Sequence, residues 1–226
     1  MKKSPAAASK RTRVLIVDDH PMTREGLVHL IGNEADLMVC AEAATAADAL
    51  TAVLKTRPDL VLADYTLPDK SGVELLKDLH AVQPRLPVLV ISMHEESLYA
   101  ERALKAGAAG YIMKVAGGEK LMEAIRRVLA GEVYVSAKIS AQILRGVVAK
   151  PVAGAAPSVG QLSDREFEIF GLIAQGIATR DIGKRLHISA KTVEAHRMNI
   201  KTKLGLATAS ELISYAARWM AETGGR

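Results

Sequence analysis

Side chains suited to phosphoryl chemistry fall at the ends of short apolar runs. Asp18 and Asp19 follow Val14 to Val17, Asp64 follows Leu60 to Ala63, Ser92 follows Val88 to Ile91, and Lys114 follows Ala109 to Met113. Three carboxylates brought together repel unless a cation compensates them, and hard oxygen ligands favour an octahedral ion such as Mg²⁺. A divalent site built from Asp18, Asp19 and Asp64 is therefore implied. Asp64 would then attack a phosphoryl group whose charge is neutralised by the metal and by the Lys114 ammonium, with Ser92 hydrogen-bonded to a phosphoryl oxygen. Singly, each residue has an ordinary explanation, because Asp after a strand commonly caps a helix or forms a turn. Jointly, the required types at consecutive run ends point to one pocket.

A pocket of this kind needs an open parallel sheet, whose ligands sit beyond the carboxyl ends of its strands. Residues 13–131 carry the pattern. The apolar runs listed above, with Met38 to Ala41, read as five strands, and their continuity implies burial on both faces. Helical segments start near Pro21, Thr45, Lys70, Glu95 and Gly118, and three of them close near Gly32, Pro58 and Gly107. Residues 1–12, with Ala6 to Ser9 and scattered lysines, read as a disordered tail. Residues 132–160 form a connector: one helix over 136–148, then a linker whose prolines and glycines across 149–161 cannot build a core.

Residues 161–221 read as a small all-α domain of four helices. Ser163 with Glu166 is a capping box opening Asp164 to Gln175, and Thr179 to Leu186, Ser189 to Leu204 and Thr208 to Trp219 follow. The middle pair, joined by His187-Ile188, fits a helix-turn-helix whose second helix enters the major groove of double-stranded DNA. Val193, Ile200 and Leu204, with His196 or Arg197 beside them, recur at core spacing, while Lys191, Glu194, Ala195, Met198 and Lys201 share the opposite face. Ser189 and Thr192 at the helix start, together with Lys184, Arg197 and Lys203, complete the candidate DNA contacts. Residues 13–131 hold 13 Lys/Arg against 17 Asp/Glu, a net of −4, whereas residues 161–226 hold 10 against 7, a net of +3. The charge asymmetry favours DNA as the partner of the second domain. It also suggests that the acidic domain folds back over the recognition helix before phosphorylation. The few aromatics argue against RNA recognition. One cysteine, Cys40, and no Cys/His cluster fit a reducing cytoplasm and no zinc site, and no apolar stretch is long enough for a signal core or membrane span.

Residues 13–131 resemble the response-regulator receiver family. The likeness is carried by Val-Asp-Asp-His-Pro at 17–21, Leu-Ala-Asp-Tyr-Thr-Leu-Pro at 62–68, Gly72, Val-Ile-Ser-Met at 90–93 and Lys-Ala-Gly-Ala-Ala-Gly-Tyr-Ile-Met-Lys at 105–114. The resemblance implies a flavodoxin-like (CheY-like) α/β fold, phosphorylation of Asp64 by a sensor histidine kinase, Mg²⁺ on Asp18, Asp19 and Asp64, and Ser92 and Lys114 on the phosphoryl group. Tyr111 matches the family's switch aromatic, which rotates inward as Ser92 is drawn to the phosphoryl, and Thr66 and Met93 stand where the family tunes phosphoryl lifetime. Residues 162–219 resemble a LuxR-type DNA-binding domain, through Leu-Ser-Asp-Arg-Glu-Phe-Glu-Ile-Phe at 162–170, Gln-Gly-Ile-Ala-Thr-Arg-Asp-Ile-Gly at 175–183 and the stretch from Ile188 to Gly205. Together the two halves resemble the NarL/FixJ class of transcription regulators. That class implies a homodimer on paired half-sites when phosphorylated, RNA polymerase as a further partner, and no enzyme activity beyond slow loss of its own phosphoryl group. Some members carry Lys where this chain has Glu194, so a carboxylate there either accepts from cytosine N4 or repels phosphate.

Two rivals stand beside this reading, the first of them weak. A phosphatase using Asp64 as nucleophile would place a general acid two residues on, where this chain has Thr66. A receiver serving only as a dimerisation module is separated from the phosphorylated reading by reaction with acetyl phosphate and Mg²⁺.

Overall fold

Apolar runs of this length are buried on both faces only between two helical layers, and that is the arrangement the chain builds. The computed structural model describes residues 11–148 and 159–224. Strands β1 (Thr12–Val17), β2 (Leu37–Ala43), β3 (Leu60–Asp64), β4 (Val88–Ser92) and β5 (Gly110–Met113) pair in parallel in the order β2-β1-β3-β4-β5. Alternate residues of each strand face opposite layers. Leu60 and Leu62 join the core under α1 (Pro21–Gly32) and α5 (Gly118–Leu129). Val61 and Ala63 join the core under α2 (Ala46–Thr56), α3 (Gly72–Val82) and α4 (Glu96–Lys105). The order of strands reverses between β1 and β3, which opens a crevice at their carboxyl ends.

Local chemistry sets the boundaries. Pro21 occupies the first turn of α1, Thr45 caps α2 by accepting from the Asp48 amide, and Ser71 with Glu74 forms a capping box on α3. That box, rather than Lys70, starts α3. Arg57, in the left-handed region at φ 48°, ends α2 one residue before the expected Pro58. The N-terminal boundary also moves, because Thr12 already belongs to β1 and donates its amide to the Asp36 carbonyl. Residues 1–10 of the expected tail lie outside the described residues. At the other edge of the sheet, the connector adds a short pairing that the sequence pattern did not suggest. Tyr134 accepts from the Tyr111 amide at 2.8 Å and donates to the Ala109 carbonyl at 3.1 Å, so β5 is not left as an open edge.

The expected connector helix is α6 (Ala137–Val148), packed on α4. Of the expected linker, residues 149–158 lie outside the described residues, and Val159–Gln161 form a single 3-10 turn. Four helices follow: α7 (Asp164–Ala174), α8 (Thr179–Arg185), α9 (Ala190–Leu204) and α10 (Ala209–Gly224). The Ser163–Glu166 capping box forms as the sequence suggests, and Gly205 ends α9 at φ 67°. Phe167 and Phe170 on α7 meet Trp219 on α10, and this aromatic core continues through Tyr99 into the α2–α4 layer.

Gly72 marks the closest approach of backbone to the crevice. A Cβ there would lie 2.4 Å from the Asp64 carbonyl oxygen and 2.8 Å from the Tyr65 Cα. We expect Gly72→Ala to destabilise the chain by about 1–3 kcal/mol through overpacking against backbone, read as a lower urea midpoint. An unchanged midpoint would contradict so close an approach.

Candidate functional site

Parallel registry brings the polar strand ends to one level. Val17 pairs with Ala63, Asp64 with Ile91, and Ser92 with Met113, so Asp18, Asp64, Ser92 and Lys114 converge although they are far apart in sequence. Lys114 Nζ lies 2.6 Å from Asp18 Oδ2 and 2.7 Å from Asp64 Oδ2, bridging two carboxylates that are 1 % and 5 % exposed. Burial pushes the Asp64 carboxyl up to about 6, against the pull of Lys114. Burial also works against the charged form of Lys114, but Asp64 and Asp18 outweigh it and hold the ammonium above its ordinary range. Ligand atoms of Asp18, Asp19, His20 and Asp64 all lie within 4.8 Å of one another. A set of three carboxylates this close, with one ammonium to balance them, fits a hard divalent cation. His20 is an addition to the expected set; its Nδ1 sits 2.7 Å from Asp19 Oδ1.

Ser92 is fully buried and its hydroxyl accepts from the His94 amide at 3.0 Å. Tyr111 is also fully buried, its hydroxyl donating to the His94 carbonyl at 3.0 Å, and burial raises it well above the ordinary tyrosine range. The side chain expected to rotate inward thus already lies inward. Thr66 and Met93 flank the pocket as expected, with Met93 65 % exposed.

The pocket has a roof, and the roof is the second domain. A cavity of about 460 Å³ is lined on one side by His20, Asp64, Thr66, Met93, His94 and Lys114, and on the other by Leu172 and residues 184–187. Glu168 of α7 is fully buried and accepts from the Thr66 hydroxyl at 2.7 Å, while Arg165 clamps its other oxygen at 2.6 Å. His94 Nε2 lies 3.0 Å from the same hydroxyl. Burial pushes the imidazole down to about 4, so the ring is neutral, and because the Thr66 hydroxyl gives its proton to Glu168, Nε2 is the donor in this contact. His187, in the turn before α9, places Nε2 3.3 Å from Asp19 Oδ2.

A second set of contacts holds the roof down. Asp164 accepts from Lys77 Nζ and from Arg102 Nε, each at 2.7 Å, tying α3 and α4 to the start of α7. Burial alone would raise the Asp164 carboxyl, but these two hydrogen bonds outweigh it and hold it below its ordinary range. The Arg102 guanidinium also lies 4.6 Å from the centre of the Phe167 ring, and Tyr99 meets Phe167 edge-on at 5.1 Å. Spacing gave no sign of Glu168, Asp164, His94 or His187 as site residues. Asp164 and Glu168 read in sequence as ordinary acids in the first turns of a helix, and only the packing of one domain on the other gives them partners.

On the helix-turn-helix, Val193, Ile200 and Leu204 are buried as their spacing suggests, and Lys191, Thr192, Glu194, Ala195 and Met198 are exposed on α9. Ser189 caps α9 by accepting from the Thr192 amide. Lys201 is half-buried, and Lys184 pairs with Asp181 at 3.1 Å. Two further cations among the candidate DNA contacts are engaged inside the domain. Lys203 Nζ lies 2.6 Å from Glu166, and Arg197 donates to the Thr179 hydroxyl at 3.0 Å. The expected covering of the recognition helix is corrected: its outer face is exposed, and the first domain instead meets α7, α10, the end of α8 and the turn after it. The polar contacts between the domains are made by Asp164, Glu168 and His187, not by side chains of α9.

A doubly wound sheet with an acidic crevice at its switch point, joined to a helix-turn-helix bundle, defines a receiver-like module coupled to a DNA-binding module. Comparison with known proteins agrees. Residues 14–126 match the response regulator receiver domain, and residues 160–216 match the bacterial regulatory proteins of the luxR family. The oxygen regulatory protein NreC of Staphylococcus epidermidis is 35% identical over 211 residues, covering 91% of this chain and 97% of that protein. The crystal structure of a LuxR-family two-component response regulator from Aurantimonas sp. SI85-9A1 is similar with a TM-score of 0.57 at 36% identity, covering 62% of this chain and 100% of that one. The Salmonella typhimurium response regulator RcsB, 21% identical, shares the fold with a TM-score of 0.63 over 92% of this chain and 98% of its own. This chain belongs to the two-component response regulators that join a receiver domain to a LuxR-type DNA-binding domain, a family of transcription regulators.

The Asp164 latch makes a direct prediction. Asp164→Ala leaves Lys77 and Arg102 without their shared carboxylate and should weaken docking by about 2 kcal/mol. Small-angle scattering would then show a larger radius of gyration than the parent chain; an equal radius would mean that the latch does not hold the domains together.

Proposed function

We propose that this regulator is switched by phosphorylation of Asp64, and that the phosphoryl group acts by releasing the DNA-binding domain from the mouth of the pocket. The observation that carries this reading is the Lys114 bridge between Asp18 and Asp64 at the carboxyl ends of neighbouring strands. Asp18, Asp19 and Asp64 would hold Mg²⁺, which supplies positive charge to offset the phosphoryl oxygens when bound. The Asp64 carboxylate attacks phosphorus, an O–P bond forms, and the bond from phosphorus to the donor histidine nitrogen of a sensor kinase breaks. Lys114 stays beside the group to balance its charge, and Ser92 is placed to donate its hydroxyl to a phosphoryl oxygen. The chain consumes nothing further, so it acts as a receiver of the group and not as an enzyme on outside substrates.

Release follows from charge. The phosphoryl group adds about −1.5 to −2 charge to the cavity. Glu168 is buried and only a threonine away from Asp64, so its repulsion acts at low dielectric. Lys184 and Arg185 are exposed, and solvent screens their attraction. Burial already pushes the Glu168 carboxyl upward although Arg165 holds its other oxygen, the added charge disfavours its ionised form further, and the Thr66–Glu168 contact that holds the roof weakens. The freed domain then binds double-stranded DNA through α9, with Ser189, Lys191, Thr192, Glu194, Ala195, Met198 and Lys201 facing the groove. Lys184 is freed from the pocket mouth for phosphate contact, and a homodimer would match paired half-sites.

Incubation with Mg²⁺ and acetyl phosphate should add one phosphoryl mass to the parent chain and none to Asp64→Ala, read by intact mass. Addition to the variant would remove Asp64 as acceptor. Docking makes a second prediction: without any phosphodonor, Asp164→Ala should bind a cognate DNA site about tenfold more tightly than the parent chain, by fluorescence anisotropy. Equal affinities would separate docking from control of DNA binding.

A further inference from the structure

Glu194 is the one acidic side chain on the exposed face of α9, where a nearby phosphate backbone would ordinarily oppose it. The structure answers that objection. Its carboxylate is held from two sides: Oε1 accepts from the Thr179 hydroxyl at 2.9 Å, and Oε2 lies 3.7 Å from Arg197 Nε. The Thr179 hydroxyl in turn accepts from the Arg197 guanidinium at 3.0 Å. Thr179 opens α8 and Arg197 lies one turn further along α9, so the clamp spans both helices of the motif. Arg197 is only 13% exposed and Glu194 is 57% exposed. The cation is withdrawn while the carboxylate is presented.

We propose that Glu194 is a sequence-reading residue that accepts a hydrogen bond from cytosine N4 in the operator, held in its reading pose by Thr179 and Arg197. The proposal rests on the reading of α9 as the recognition helix. A carboxylate is an acceptor only, and each of its oxygens keeps a free lone pair beyond the clamp. In the major groove, guanine offers acceptors at O6 and N7 and is repelled. Thymine offers the O4 acceptor, adenine sets the N7 acceptor beside its amino group, and cytosine offers a donor with no acceptor next to it. Cytosine is therefore the base that satisfies Glu194 without a facing lone pair. Arg197 offsets the charge that would otherwise be repelled by phosphate, so its task is to position Glu194 rather than to touch DNA. The clamp also removes the rotamer freedom that an unheld glutamate would lose on binding. One position along and one turn further on, Ala195 and Met198, the latter 64% exposed, offer apolar surface to a thymine methyl.

The test is selection of binding sites from random duplex DNA by the full chain, with Mg²⁺ and acetyl phosphate present, for the parent and for E194Q, E194A and T179V. The parent should select cytosine at one fixed position of each half-site. Glutamine pairs with adenine N6 and N7, so E194Q should shift that position toward adenine and leave the others unchanged. E194A should lose discrimination there by about tenfold or more. T179V should keep the cytosine preference with weaker binding, because it loosens the carboxylate without removing it. Thermal midpoints equal to the parent's would show that the variants fold. If E194A selects the same sites as the parent, the proposal is overturned while α9 remains the reading helix. If the parent selects no sequence, the reading of α9 falls and the proposal with it.

Discussion

Two buried carboxylates cannot both stay ionised in one crevice unless something cationic stands between them, and in this chain the Lys114 ammonium does so. At low dielectric, the repulsion of Asp18 and Asp64 would exceed most single packing contributions. The bridge holds only while β1, β3 and β5 end at the same level, which ties it to the order and registry of the whole sheet. Gly72 serves the same end from below, because the backbone of α3 must pass within contact of the Asp64 carbonyl for β3 to end where it does. The same arrangement explains why the crevice suits a cation and an anion together: one ammonium balances one of the three carboxylates, and the remainder is left for a divalent ion.

The roof over the crevice is held by contacts that are strong individually and costly together. Asp164 and Glu168 are well paired, yet among the described residues the hydroxyls of Tyr65 and Tyr99, buried at the same aromatic seam, have no hydrogen-bond partner. Each such hydroxyl costs about 1–3 kcal/mol. The Tyr99 hydroxyl fits only because residue 171 is glycine, since a Cβ there would lie 2.1 Å from it. The seam therefore contributes less than its aromatic area suggests, and a change of one or two charges in the cavity is of the right size to open it.

Much of the receiver was legible in the sequence because its determinants are local. The strand runs, the stops at Gly32 and Gly107, the Ser163–Glu166 box and the spacing of Val193, Ile200 and Leu204 each act within a few residues, and all appear in the fold. The acidic pocket was legible because the topology of a parallel sheet places strand ends together without further information. The partnership of Thr66 with Glu168 was not, because it joins residues 102 positions apart whose types have ordinary uses elsewhere. Lys203 was read as a DNA contact from charge, and Arg197 both as a DNA contact and, by spacing, as a neighbour of the core face. Charge says that a cation exists but not whether a neighbouring Glu194 or Glu166 has already engaged it.

Net charge suggested that the acidic receiver covers the basic recognition helix, and the reason it does not is instructive. Electrostatic attraction between whole domains is long-ranged, weak and screened within about 10 Å at ordinary salt. Docking geometry is decided by the few groups that lose their water, here Asp164, Glu168 and the Tyr99–Phe167 contact. Those groups lie on α7, and the exposed side of α9 is turned outward as a result. Under the proposed reading, control does not depend on shielding the base-reading face. It depends on orientation: two recognition helices must meet successive major grooves one helical turn apart, about 34–36 Å. A domain fastened to its receiver at α7 presents α9 at an angle set by the receiver, and under the proposed reading only release frees each α9 to meet its own half-site.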